Sequence, residues 1–519
     1  MSPSNGVVVK PRVPETDPRK VFHYTDLQRS KPTRENDPYD YQPGWGNRHQ
    51  SEVIPGTLPV AQNNPQDRGF GLYTEGITSS SFVAPRSVNS STYMYRARPS
   101  AAHNGYEKLD TKSHIENCFL SLNPAVEPLP QQTEWSPFPL PSEDETIDFT
   151  NGLHTLCGSG DPNLKQGIAL YVYMINASMD GKAYCNTDGD FLVTPQLGNI
   201  DVQTEMGNLF LQPGEICVIQ RGVRFRVALG PGVTAARGHI AEVWGSVWEL
   251  PDLGPLGGYG LANPRDFLYP TAHIDEDLHR SFSIVVKNTG KHYAIEQDHS
   301  PFDVVAWHGN CVPYKYDLTK FVAQNSATVD HTDPSVNTVL TAKSVDPHVP
   351  LADYLWFGPR WDVASNSFRL PYFHRNSASE LLACIYGNGL GRSDDFLPGG
   401  CSYEGGHTPH GGFSDEYVTE VKLQVNEPRR ILENQMTIMV ESSRTFLFTE
   451  YARKLCGVMQ SQATDPKVWS KLPDRFSTNP VVKQLLARVA EDKAKSRAAA
   501  DYYHSVDLSA QSTAIHAAK

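Results

Sequence analysis

Long apolar runs are missing from this 519-residue chain: no stretch approaches the ~18 residues that a membrane-spanning helix needs. The segment Met1 to Asp40 has no apolar core of the kind a secretory signal carries. It mixes Lys10, Arg12, Arg19 and Lys20 with Glu15, Asp17, Asp26 and Asp37, which also argues against a transit peptide. Cysteine pairs are missing too. The eight cysteines are scattered with no CxxC, so we read them as reduced thiols of a cytosolic protein rather than as a disulfide frame. Positive charge is in deficit, with 46 Lys+Arg against 58 Asp+Glu and a formal net charge of −12, which argues against general nucleic-acid binding. There is no Gly-x-Ser-x-Gly elbow to support a serine hydrolase. There is no repeat at a solenoid period, and the chain does not end in a Ser-Lys-Leu peroxisomal signal.

What is present points to β structure. Glycine and proline number 39 each, about 15% of the chain against a usual share of about 12%. That excess favours short strands joined by many turns. Strand-like runs include Ser91 to Arg96, Ile168 to Ile175, Phe191 to Thr194, Leu209 to Leu211, Ile216 to Ile219, Val223 to Val227 and Ile240 to Trp248. Asp188-Gly189, Gly198-Asn199 and Pro213-Gly214 punctuate them. Further strands are expected at Ile284 to Lys287, Val304 to Trp307, Val339 to Ala342 and Met436 to Glu441. Closely spaced strands without helix alternation predict a sandwich or barrel rather than a parallel sheet. The segment Gly207 to Gly214 is similar to the turn between core strands of a cupin-type jelly roll. Where metal-binding cupins place histidines and a carboxylate, this stretch carries Tyr184, Asn186, Phe191 and Phe225.

The expected fold class is mainly β, and four segments follow. Residues 1–40 form a loose arm. Residues 41–280 form a metal-free, cupin-like β-sandwich. Residues 281–476 form a catalytic jelly roll, and residues 477–519 form a helical tail. In the tail, Asn479 before Pro480 is a helix start. Val482, Leu485, Leu486 and Val489 recur at helical spacing, with a frayed end expected after Ala490.

The residues most able to do chemistry lie in the third segment. His374 and Glu380 stand in Arg369-Leu-Pro-Tyr-Phe-His374-Arg-Asn-Ser-Ala-Ser-Glu380, and His410 stands in Gly406-His-Thr-Pro-His410-Gly. Two imidazoles and one carboxylate on one face of a metal leave three positions open, the facial triad of non-haem Fe(II) oxygenases. With 18 histidines in the chain, chance pairs are also common, and a lone histidine is usually a polar core or surface residue. His331, between Asp330 and Asp333, is a candidate base because flanking carboxylates hold an imidazole in one tautomer and raise its basicity. Its bland reading is a solvated turn. His407 is either an extra nitrogen near the site or a solvent-facing residue. His308 and His154 read as structural.

At these residues the chain resembles the homogentisate 1,2-dioxygenase family over roughly Tyr41 to Phe476. The resemblance rests on Gly44-Trp-Gly-Asn47, Gln62-Asn-Asn-Pro-Gln66, Gly152-Leu-His-Thr-Leu-Cys-Gly158, Asp188-Gly-Asp-Phe-Leu192 and Glu215-Ile-Cys-Val-Ile-Gln-Arg-Gly222. It continues through Leu250-Pro-Asp-Leu-Gly-Pro255, Gly260-Leu-Ala-Asn-Pro-Arg-Asp-Phe-Leu268, Val304-Val-Ala-Trp-His-Gly-Asn310, Val339-Leu-Thr-Ala-Lys-Ser344, His374-Arg-Asn376 and Phe396-Leu-Pro-Gly-Gly400. It implies a β-sandwich followed by a cupin-like jelly roll, assembled as a homohexamer built from two trimers. It implies Fe(2+) held by His374, Glu380 and His410, with His331 as the general base. It implies a small aromatic substrate and O2, with homogentisate opened to maleylacetoacetate in tyrosine and phenylalanine breakdown. Neither nucleic acid nor membrane is an expected partner.

The chain departs from the family at three positions. A pocket Tyr nine residues after the ligand Glu is Gly389 here, a His six residues before the second ligand His is Glu404, and a Tyr just before the first is Phe373. Gly389, Glu404, His407 and His410 are therefore the expected substrate-binding positions. Two alternatives accompany the leading reading: a paralogue that cleaves a different hydroquinone-type aromatic, and an inactive structural or binding paralogue.

Overall fold

The structure, a computed structural model, describes residues 35–60, 69–252, 262–323, 337–346, 349–362, 373–387, 396–412, 414–415, 417–418, 428–460 and 466–505. They fall into two units, one ending before residue 466 and one beginning there.

The first unit is mainly β. One ten-stranded sheet carries at its centre Asp190–Leu197, Ala236–Trp244 and Gln166–Ile175. A seven-stranded sheet includes Ile200–Thr204, Arg224–Leu229, Lys182–Asn186 and Phe282–Asn288. Turn residues explain how these two sheets become a sandwich. The chain passes from one sheet to the other at Asp188-Gly189, back at Gly198-Asn199, and over again at Pro213-Gly214. The turns that the sequence marks are corners of a jelly roll, and few are hairpins within one sheet.

A six-stranded sheet holds Thr338–Lys343, Pro350–Phe357, Met436–Ser442, Ser379–Tyr386 and Cys401–Glu404, closed at one edge by Thr133–Trp135 from the N-terminal half. It packs on the large sheet. Leu170, Thr194, His239 and Ala241 meet Tyr354, Leu381, Ala383 and Val440 around a small shared cavity, and Thr194 and Tyr354 share a hydrogen bond of 2.8 Å. The large sheet is therefore covered on both faces. That is why Ile168 to Ile175 reads as an unbroken apolar run rather than an alternation.

The domain division expected at residue 280 falls inside the sandwich. Phe282–Asn288 pairs in parallel with Lys182–Asn186, in the register Lys182↔Ser283, and Tyr314–Asp317 pairs with Glu215–Ile219. No local pattern announces a partner a hundred residues away. We place the division between residues 317 and 338. Between the two sandwich sheets, Tyr184 packs on Phe225 with ring centroids 5.6 Å apart. Beside them the buried Lys287 ammonium sits 2.8 Å from Asp188 and 2.9 Å from Glu242.

The second unit carries the helix Pro480–Ser505. Asn479 caps it by accepting the Val481 N–H at 2.9 Å. The helix runs well past the expected fray after Ala490, because the Ala/Lys/Glu-rich stretch consists of good helix formers.

Candidate metal centre

The strand Ser379–Tyr386 is buried along its whole length, and its two faces do different things. Leu381, Ala383 and Ile385 join the core shared with the large sheet. Glu380, Leu382 and Cys384 point the other way, and Leu382 and Cys384 pack with Leu355, Phe357, Phe396 and Met439. Cross-strand register then sets a row on this second face. Asp353 stands opposite Glu441, Glu441 opposite Glu380, and Glu380 opposite Glu404. Directly opposed residues share a face, so this side of the sheet has four carboxylates at one end and an apolar floor beyond them.

Two loops deliver imidazoles to that acidic end. His374 and His410 are joined by a reciprocal backbone bridge: the His374 N–H donates to His410 O at 2.9 Å and the His410 N–H to His374 O at 3.1 Å. Their rings lie 4.2 Å apart. His374 Nε2 is 3.9 Å and His410 Nε2 3.7 Å from Glu380 Oε1. One donor atom from each of the three residues lies within 4.8 Å of the others, an arrangement that could hold a metal ion.

The donor set is also prepared electronically. His410 Nδ1 lies 2.9 Å from the Thr408 carbonyl, which can only accept, so the proton sits on Nδ1 and the Nε2 lone pair is free. That Nε2 is buried and has no hydrogen-bond partner, a costly state that a metal ion relieves. Burial pushes the Glu380 carboxyl up. The His374 and His410 rings close beside it and the hydrogen bond from the Asn376 amide outweigh that and hold it well below the usual carboxylate range, so it is present as the anion a metal requires. Two bonds of about 2.1 Å span at most about 4.2 Å, so the 3.7 and 3.9 Å separations suit a single shared ion. Two nitrogens and one carboxylate oxygen, with the remaining positions open, fit ferrous iron.

The homogentisate 1,2-dioxygenase N-terminal domain family matches residues 40–318, and the corresponding C-terminal domain family matches residues 319–476.

The chain belongs to the homogentisate 1,2-dioxygenase family.

The homogentisate 1,2-dioxygenase of Homo sapiens is 44% identical over 448 residues, 85% of this chain and 97% of that protein. That of Caenorhabditis elegans is 45% identical over 449 residues, 85% of this chain and 99% of its own length. The boundary between the two domain families falls just after Tyr314–Asp317, although Leu447–Thr449 returns to the ten-stranded sheet beside Leu153–Asp161.

Of the predicted site residues of this homogentisate 1,2-dioxygenase family member, the structure brings His374, Glu380 and His410 together and sets the buried Glu404 beside them. Ser402 Oγ donates to Glu404 Oε1 at 3.0 Å. His407 adopts a left-handed backbone with φ of 59° and gives its N–H to Asn376 O at 2.7 Å, so its main chain helps shape the site. His331 and Gly389 lie outside the described residues. His308 and His154 lie in strands. His154 stacks on Tyr451 with centroids 4.4 Å apart, and His308 Nε2 is 3.4 Å from the Tyr95 hydroxyl. The sequence reading missed Asp353 and Glu441, whose only signal is strand register, and it missed the contact of Asn376 with Glu380.

Proposed function

We propose that the chain is an Fe(II)-dependent, ring-cleaving dioxygenase that opens homogentisate to maleylacetoacetate in tyrosine and phenylalanine catabolism. The observation that carries this reading is the convergence of His374, Glu380 and His410 at the mouth of an apolar-floored sheet face, in a chain of this family. His374, Glu380 and His410 would hold ferrous iron, which would supply a Lewis-acidic, redox-active centre for O2 and a ring hydroxyl. The protein's own groups do the rest. Leu355, Leu382 and Met439, packed with Phe357 and Phe396, make the sheet face beside the site apolar, and His331 takes the phenolic proton as the general base. The family resemblance further supports a cytoplasmic homohexamer built as a dimer of trimers, and among the described residues no helix is long and apolar enough to cross a membrane.

The fully buried Glu404, opposite Glu380, favours a second reading of the substrate: a hydroquinone without an acidic side chain. A carboxylate at this position would repel an acetate group bound on its side of the site.

The test supplies the iron-loaded protein with homogentisate under 18O2. The reading requires one O2 consumed per substrate, both oxygen atoms in the product, and a ring-opened product mass. Homogentisate recovered intact, or a product carrying no label, contradicts it.

A further inference from the structure

Asn376 occupies a position that neither the triad spacing nor the general base explains. Its side-chain Nδ2 donates to Glu380 Oε1, the oxygen that also lies nearest both imidazoles. Its backbone carbonyl accepts the His407 N–H at 2.7 Å, in the loop that carries His410. It lies two residues after His374. One residue thus ties the first ligand's loop to the second ligand's carboxylate and to the third ligand's loop.

The amide orientation is set by chemistry. Reversing it would set Oδ1 against the Glu380 carboxylate oxygen, leaving two acceptors in contact. With Nδ2 committed to Glu380, Oδ1 is left buried with no hydrogen-bond partner. A buried amide oxygen without a donor is costly, and this one lies within a side chain's width of the metal-binding atoms. A hydroxyl hydrogen would satisfy it.

We propose that Asn376 is the positioning residue of the metal centre: its Nδ2 fixes the Glu380 carboxylate for the metal, and its carbonyl locks the His407–His410 loop in register. A carboxylate on a flexible side chain must otherwise be ordered at the moment of binding. Partners that orient metal ligands typically contribute about 10–100-fold in metal affinity. The orphaned Oδ1 adds a second consequence. It is placed to receive a hydroxyl hydrogen from a phenol bound at the metal, which is the substrate class of the function proposed above and rests on that reading.

The experiment measures Fe(II) binding anaerobically, without substrate, by competition with a chelator. It compares wild type, Asn376→Ala and Asn376→Asp, with circular dichroism and thermal melting to verify the fold. Asn376→Ala is expected to weaken Fe(II) binding 10–100-fold. Asn376→Asp is expected to weaken it further, because its carboxylate faces that of Glu380. Substituting Co(II) should show a changed visible spectrum in both variants, a signature that a purely structural role would not move. Fe(II) affinity within about twofold of wild type in both folded variants, with an unaltered Co(II) spectrum, overturns the proposal. A variant that loses thermal stability while keeping its metal affinity overturns it as well. Because no substrate is present, loss of affinity in the variants supports the proposal even where ring cleavage of homogentisate fails.

Discussion

Glu380 and Glu404 stand directly opposite each other on neighbouring strands, with Glu404 fully buried. A cation held by Glu380 would make two carboxylates in that register tolerable, so Glu404 would be electrostatically tied to the proposed metal site. The first prediction concerns Glu404, which Ser402 Oγ bonds at 3.0 Å. Glu404→His, which restores the family's imidazole, should raise kcat/KM for homogentisate by about tenfold or more, the effect of roughly 1.4 kcal/mol of relieved repulsion. The value for homogentisate methyl ester, which has no carboxylate, should change little. An unchanged ratio between the two substrates would show that Glu404 does not meet the side chain of the ring.

The opposite neighbour of Glu380 gives a pH prediction. Burial, and then the charges of Glu380 and Asp353, push the Glu441 carboxyl up to about 7 from an ordinary 4.5. Between those values the unfolded chain releases this proton before the folded chain does. The stability of the metal-free protein should therefore fall as pH rises from about 4.5 to 7, and level off above. Glu441→Gln removes a penalty on the order of 3 kcal/mol at neutral pH. Melting temperatures of the metal-free wild type and variant from pH 5 to 8 check this. A wild type that gains on the variant with rising pH contradicts the sign.

His374→Ala removes one of the three donor atoms proposed to hold the metal and breaks no backbone bridge, since the His374–His410 pairing is made by main-chain atoms. Iron retention and O2 uptake should both disappear while the fold persists. Metal analysis after desalting decides the first, and an oxygen electrode the second. Stoichiometric iron in the variant would remove His374 from the ligand set.

His331→Asn should lower turnover by roughly 10²–10⁴-fold, the usual range for a lost general base, with iron still bound. Turnover equal to wild type would assign the proton to another group.

Much of this architecture was legible in the sequence. The strand expected at Ser91 to Arg96 is the observed Ser91–Arg96, and the Asn479 cap starts the C-terminal helix. These succeed because alternation and capping are local signals. Ser379–Tyr386 was not read as a strand at all. It is buried on both faces, so it shows no alternation, and its first residues look like a polar loop. The parallel pairing of Lys182–Asn186 with Phe282–Asn288 was illegible for a different reason: register between distant strands leaves no local trace. The same fact hid the carboxylate row. The sequence shows Asp353, Glu380, Glu404 and Glu441 as four separate acids, and only strand pairing makes them neighbours. The triad itself was visible because its six- and thirty-residue spacings match the family, although nothing in those spacings indicates the backbone bridge that aligns the two imidazoles.

The most direct test of the account is an anaerobic Fe(II) titration of the metal-free protein, followed by O2 uptake with homogentisate at each iron loading. The account predicts saturation at one Fe(II) per chain and O2 uptake that rises in proportion to bound iron. Uptake that is independent of iron loading, or a chain that binds no Fe(II), would contradict it.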